Sequence, residues 1–148
     1  MTSILRSLTA FTVLALAFAA QPALAAGSHK VAVHVDQNDK KVMNMALNNI
    51  VNLKAYYQAR GEEVEIELVA YGPGLHMLRE DSSPVKARIA KMDLEIEHLT
   101  FSACGNTQAK MSKKSGKPVK LISEARVTPS GVARLIDLQE QGYAYVRP

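Results

Sequence analysis

Strand-like and helix-like segments alternate about five times along this chain, and that alternation restricts the fold more than any single residue does. Lys30 to Val35 opens it, with Val31, Val33 and Val35 interleaved by Ala32 and His34. A segment apolar on both faces suits the interior of a parallel sheet. Asp39 can cap a helix running to about Arg60, where Gly61 stops it, and Met43, Ala46, Leu47, Ile50, Leu53 and Tyr57 give that helix an inner stripe. Asn44, Asn48 and Asn52 form a polar row on another side, read as a solvated or subunit-contact face. A second strand spans Val64 to Ala70, with Glu65 and Glu67 read as its wetter start, and it ends in the turn Tyr71-Gly72-Pro73-Gly74.

The later segments repeat the pattern. Helical stretches from Leu75 to about Glu80 and from Pro84 to about Met92 precede a third strand, about Ile96 to Ala103, which delivers Cys104. Asn106 is a fitting N-cap for a short basic helix beginning near Thr107. A fourth strand covers Leu121 to about Val127, and Thr128 with Pro129 behind it reads as the start of a last helix that Gly142 closes. Tyr143 to Val146 is a terminal strand whose two tyrosines share one face, expected to pack. Such an order predicts one three-layer α/β/α domain with a mainly parallel sheet of about five strands and right-handed crossovers.

The N-terminal segment stands outside that domain. Arg6 precedes an apolar run from Leu8 to Ala20, then Pro22 and Ala23-Leu24-Ala25, the pattern of a secretory signal peptide cleaved after Ala25. The run is shorter than the roughly 20 residues of a spanning helix. Residues 1–25 are therefore expected to be removed on export to the periplasm, leaving residues 26–148 as the domain, with no membrane association afterwards. Losing Arg6 leaves 17 basic residues against 14 acidic, from the 18 and 14 of the whole chain. So mild a balance argues against a nucleic-acid partner.

Cys104 is the chain's single cysteine. No internal disulfide and no dithiol cycle can therefore form, and Cys104 is free, paired between chains or modified. Placed just ahead of a helix N-terminus, it sits at the positive end of the peptide dipoles, which favours thiolate over thiol. A lone cysteine ending a buried strand is also readable as a small packed residue.

In a parallel sheet the loops at the carboxyl ends of the strands converge, and ligands bind there. This brings His34 to Asn38, Tyr71 to His76, Cys104 to Asn106, and Thr128 to Gly131 onto one rim. Cys104 is the candidate catalytic residue. Gly72, Gly74 and Gly105 leave backbone amides accessible, and with Asn106 and His34 they are the candidate substrate contacts. A metal site joining Cys104 to His34 and His76 lacks close ligand spacing. A flavin site lacks a phosphate cradle after the first strand, and the Asp36 to Asp39 run lacks the glycine and terminal glutamate of a calcium loop. Neither metal nor resident cofactor is expected. The lysines from Lys110 to Lys120 read as a solvated face that can also attract an anion.

Four motifs, Lys30 to Asp39, Tyr71-Gly72-Pro73-Gly74-Leu75, Ala103-Cys104-Gly105-Asn106-Thr107, and Pro129 to Leu135 with Gly142 to Tyr145, occur in the order that resembles the DsrE/DsrF-like family. The likeness spans essentially all of residues 26–148. It implies an α/β/α fold, a homo-oligomer such as a trimer or stacked hexamer, a thiol-bearing acceptor protein, and a cysteine that carries persulfide, by position Cys104. Export and the lysine-rich stretch from Ser112 to Lys117 are this chain's departures from the family pattern. The resulting expectation is a periplasmic sulfur carrier of sulfurtransferase type. Its rival is a non-catalytic oligomeric module that binds a small ligand and merely packs its cysteine.

Overall fold

The computed structural model describes residues 28–148, so the expected signal peptide lies outside the described residues. Five parallel strands form one sheet: β1 (Ser28–Val35), β2 (Glu63–Ala70), β3 (Leu99–Cys104), β4 (Ala125–Thr128) and β5 (Ala144–Val146), in the order β4-β3-β2-β1-β5. The helices between them are α1 (Lys40–Gln58), α2 (Lys86–Glu95), α3 (Gly105–Ser115) and α4 (Gly131–Glu140). A 3-10 helix, Gly72–Leu78, follows β2.

The strand order dictates the layers. Three successive crossovers step the same way, from β1 to β2 to β3 to β4, and right-handed connections put α1, α2 and α3 on one face. The fourth crossover returns across the whole sheet to β5, which places α4 alone on the other face. Packing follows suit. Alternate residues of the central strands, among them Val33, Leu68 and Phe101, join Leu47 and Ile50 of α1 and Ile89 of α2 in the larger core. The smaller core gathers Ala32 and Val69 of the sheet, Leu135 and Leu138 of α4, and Tyr143.

Strand alternation then assigns the polar residues. His34, Glu67, Ser102 and Cys104 each neighbour a residue of the larger core, so they lie on the α4 face. One helix cannot cover five strands, and this face holds the buried polar groups of the domain: His34, Glu67 and Ser102. Glu67 was expected at a wet strand start; instead it is 5% exposed, with both carboxylate oxygens on Arg134 of α4 at 2.8 and 2.7 Å and Ser102 Oγ donating at 2.6 Å. The asparagine row is also engaged, since Arg88 of α2 donates to Asn44 Oδ1 at 2.9 Å and to Asn48 Oδ1 at 2.6 Å.

Local signals placed most element ends. Asp39 caps α1, accepting from the Lys41 amide at 2.6 Å. Two caps differ from expectation. Helix α4 is capped by Ser130, whose Oγ accepts from the Ala133 amide at 3.4 Å, because Thr128 remains in β4 paired with Cys104. Helix α3 begins at Gly105, so Cys104 itself holds the N-cap position and Asn106 is the second helical residue. Leu121 is not in β4 but bridges antiparallel to Arg79.

Candidate functional site

Cys104 lies where β3, α3 and the start of α4 meet. It is the last residue of β3, pairs with Thr128 of β4, and is only 5% exposed. Two helix N-termini converge on its sulfur, because the β4–α4 loop folds back over the strand end. The Asn106 amide of α3 donates to the Pro129 carbonyl at 3.2 Å, which ties the two helix starts together.

Gly131, the first residue of α4, explains how close that approach is. A Cβ at this position would lie 2.9 Å from Tyr71 Cβ and 3.1 Å from Cys104 Cβ. Glycine lets the α4 backbone come this close without displacing Tyr71 or Cys104, and its amide thereby reaches the thiol. Gly105 plays a packing role of the same type, since a Cβ there would meet Val127 Cγ1 at 3.2 Å and the Thr128 carbonyl at 3.3 Å.

The titration of Cys104 reflects these neighbours. Burial pushes the thiol up, but hydrogen bonds from the Thr107 hydroxyl and from the Gly131, Thr107 and Asn106 amides outweigh it, and the thiol lies below its ordinary value. Thr107 is itself fixed, as its Oγ1 accepts from the Gly72 amide at 3.0 Å.

The expected substrate residues separate into distinct positions. Gly72, at φ 52°, belongs to the site through Thr107. Gly74 is buried and serves close packing, because a Cβ there would lie 2.3 Å from the Val35 carbonyl oxygen. Asn106 and Gly105 form the first turn of α3. His34 is 4% exposed, stacked on Tyr71 with ring centroids 4.5 Å apart, and its Nδ1 shares a hydrogen bond of 2.7 Å with Tyr145 Oη. Its Nε2 is buried without a partner. Burial, ahead of the opposing pull of Asp36, holds His34 below its ordinary value and therefore neutral. Tyr71 thus stands between the thiol and the histidine, touching both environments.

Thr107, Gly131 and Tyr71 are the site residues that sequence reasoning did not single out. Thr107 carried a legible signal: it is three residues beyond the N-cap position, from which a side chain reaches back to the cap. Gly131 and Tyr71 were legible only as members of the rim, because what they do there depends on the return of α4 across the sheet. His76 lies elsewhere, in the wall of a cavity beside Thr107, and among the described residues no three or more His, Cys, Asp or Glu side chains gather as a metal would need.

The model of the DsrE/DsrF-like family matches residues 12–148. A solved structure of a protein of unknown function from Methanobacterium thermoautotrophicum is similar to this chain, with 31% sequence identity and a TM-score of 0.69, covering 81% of this chain and 99% of that one. No curated protein matches.

Proposed function

The chain belongs to the DsrE/DsrF-like family, and from that premise we propose that it is a periplasmic sulfur carrier of sulfurtransferase type, acting through Cys104. At the level of the family, membership points to sulfur relay. The observation that carries the finer reading is the meeting of two helix starts and their amide donors at one thiol: Cys104 is the N-cap of α3, and the first residue of α4 comes so close that a Cβ on Gly131 would lie 3.1 Å from Cys104 Cβ, a setting that holds the thiol below its ordinary value. Those donors favour an anionic sulfur, and they serve the terminal sulfur of a persulfide by the same chemistry.

The step needs a single thiol. Cys104 thiolate attacks the sulfane sulfur of a donor, a new S–S bond forms on Cys104, and the donor's S–S bond breaks with its electron pair leaving on the departing group. An acceptor thiolate then attacks the outer sulfur, and Cys104 leaves as thiolate. No oxidant or reductant is consumed. Thr107 and the two helix starts stabilise the cysteine sulfur as nucleophile in the first half and as leaving group in the second. The carrier works as a homo-oligomer, trimer or hexamer, and delivers to a partner protein that bears the accepting thiol.

A second reading draws on the slight exposure of Cys104, 5%: an oligomeric small-ligand module with a packed cysteine. Thiol reactivity separates them. The carrier alkylates rapidly with iodoacetamide below neutral pH, whereas slow alkylation with an unshifted pH profile belongs to the packed module and contradicts the carrier.

A further inference from the structure

The residues that hold the thiol also wall a cavity. A space of about 790 Å³ opens between the 3-10 helix and α3; Thr107, a neighbour of the Cys104 thiol, and Tyr71, which with Cys104 closes on Gly131, border it, and Gly72 is there through its bond to Thr107. Small-molecule sites run from roughly 300 to 1,000 Å³. An inorganic sulfur anion of a few atoms occupies only a corner of it.

Charge on this wall has one sign. Lys110 and Lys114 lie one helical turn apart on α3, His76 and Arg79 face them, and no aspartate or glutamate lines the space. Arg79 is engaged by Asp81 through two bonds, 2.9 and 2.7 Å. Neither lysine has an ion-pair partner among the described residues. Tyr71, Pro73 and Met111 add apolar surface. A second cavity of about 760 Å³ differs in both respects, because Glu80 and Glu124 share its wall with Lys86 and Lys120 and no residue that borders Cys104 is part of it.

We propose that the cavity beside Thr107 binds the organic body of an anionic low-molecular-mass persulfide, a carboxylate-bearing R–S–SH whose outer sulfur is delivered to Cys104. This rests on the carrier reading above and names its donor class. The lysines pair with the carboxylates, and the Tyr71, Pro73 and Met111 surface covers the carbon chain. A bond forms between Cys104 Sγ and the outer sulfur, the S–S bond of the donor breaks, and the pair leaves on R–S⁻. The proton of the outer sulfur stays on the new persulfide or passes to the leaving thiolate, so charge and electrons balance.

S-Methylglutathione carries the carboxylates and cannot exchange sulfur, so calorimetric titration with it reads the cavity apart from the chemistry. Wild type and Cys104→Ser bind it alike, and Lys110→Glu/Lys114→Glu weakens binding by about tenfold or more, with a parallel loss in raised salt. Lys110→Gln/Lys114→Gln, which only removes charge, weakens it in the same direction and guards against misfolding of the reversal variant. Absence of saturable binding to wild type, or binding as tight as wild type by both lysine variants, overturns the inference. The two readings fail separately. Polysulfide that leaves Cys104 unmodified although the probe binds contradicts the carrier; persulfidation by polysulfide in a protein that ignores the probe, or that glutathione persulfide leaves unmodified, contradicts the cavity donor alone.

Discussion

Thr107 Oγ1 accepts the Gly72 amide hydrogen at 3.0 Å, which leaves the hydroxyl proton to be donated to Cys104. One threonine thereby links the loop after β2 to the thiol at the end of β3. Thr107→Val removes the hydroxyl while keeping the shape. A charge-assisted hydrogen bond contributes about 1.5–3 kcal/mol, and about 1.4 kcal/mol is one pKa unit. The expected result is a rise of the Cys104 pKa by about one unit or more, read from iodoacetamide alkylation rates against pH. Thr107→Ser retains the wild-type profile. An unchanged profile in Thr107→Val contradicts the assignment.

Gly131 and Gly74 make a graded pair for stability. An added Cβ at Gly74 meets backbone, 2.3 Å from the Val35 carbonyl oxygen and 2.8 Å from Asp36 Cα. At Gly131 the nearest atoms are side-chain carbons, Tyr71 Cβ at 2.9 Å and Cys104 Cβ at 3.1 Å. Overpacking against side chains costs about 1–3 kcal/mol, and backbone yields less readily. Urea denaturation should therefore rank Gly74→Ala below Gly131→Ala, and Gly131→Ala should also slow Cys104 alkylation. The reverse ranking contradicts the packing described.

The buried Glu67 is held by Arg134 and Ser102. Arg134→Met leaves its carboxylate without a cation, and breaking such a pair costs about 2–4 kcal/mol for a partner that keeps some solvent. Adding Glu67→Gln should recover part of the loss, because the uncompensated charge is gone. Unfolding midpoints of the two single variants and the double variant test this; strict additivity contradicts it.

His34 gives stability a pH dependence of defined sign. Its folded pKa lies below the ordinary 6.5, chiefly through burial. The unfolded chain thus binds a proton more readily, so the contribution is fully present above the unfolded value and is lost as pH falls through the folded one. The unfolding midpoint should drop between about pH 7 and pH 5, and His34→Phe should flatten that limb. An equal acid limb in the variant assigns it to other groups.

Most of the architecture was legible because each element carries its own period. The apolar interleaving of Lys30 to Val35 and the stripe from Met43 to Tyr57 required no knowledge of distant contacts, and the parallel α/β order followed from their alternation. What escaped depends on residues far apart in sequence. Glu67 looks like a strand-start charge until Arg134 arrives from a helix 67 positions later. Thr128 looks like a cap until its pairing with Cys104 keeps it in the sheet. The thiol itself was found by its uniqueness and its place before a helix, and the second helix start was placed on the same rim, but that Gly131 closes on Cys104 shows only once α4 crosses back over the sheet.

The most direct test of the carrier is the intact mass of the protein after exposure to polysulfide and desalting, followed by addition of excess low-molecular-mass thiol. The predicted result is a gain of sulfur confined to Cys104, absent from Cys104→Ser, and discharged to the added thiol with return of the original mass. No added sulfur on the wild type, or equal sulfur delivery by Cys104→Ser, contradicts the account.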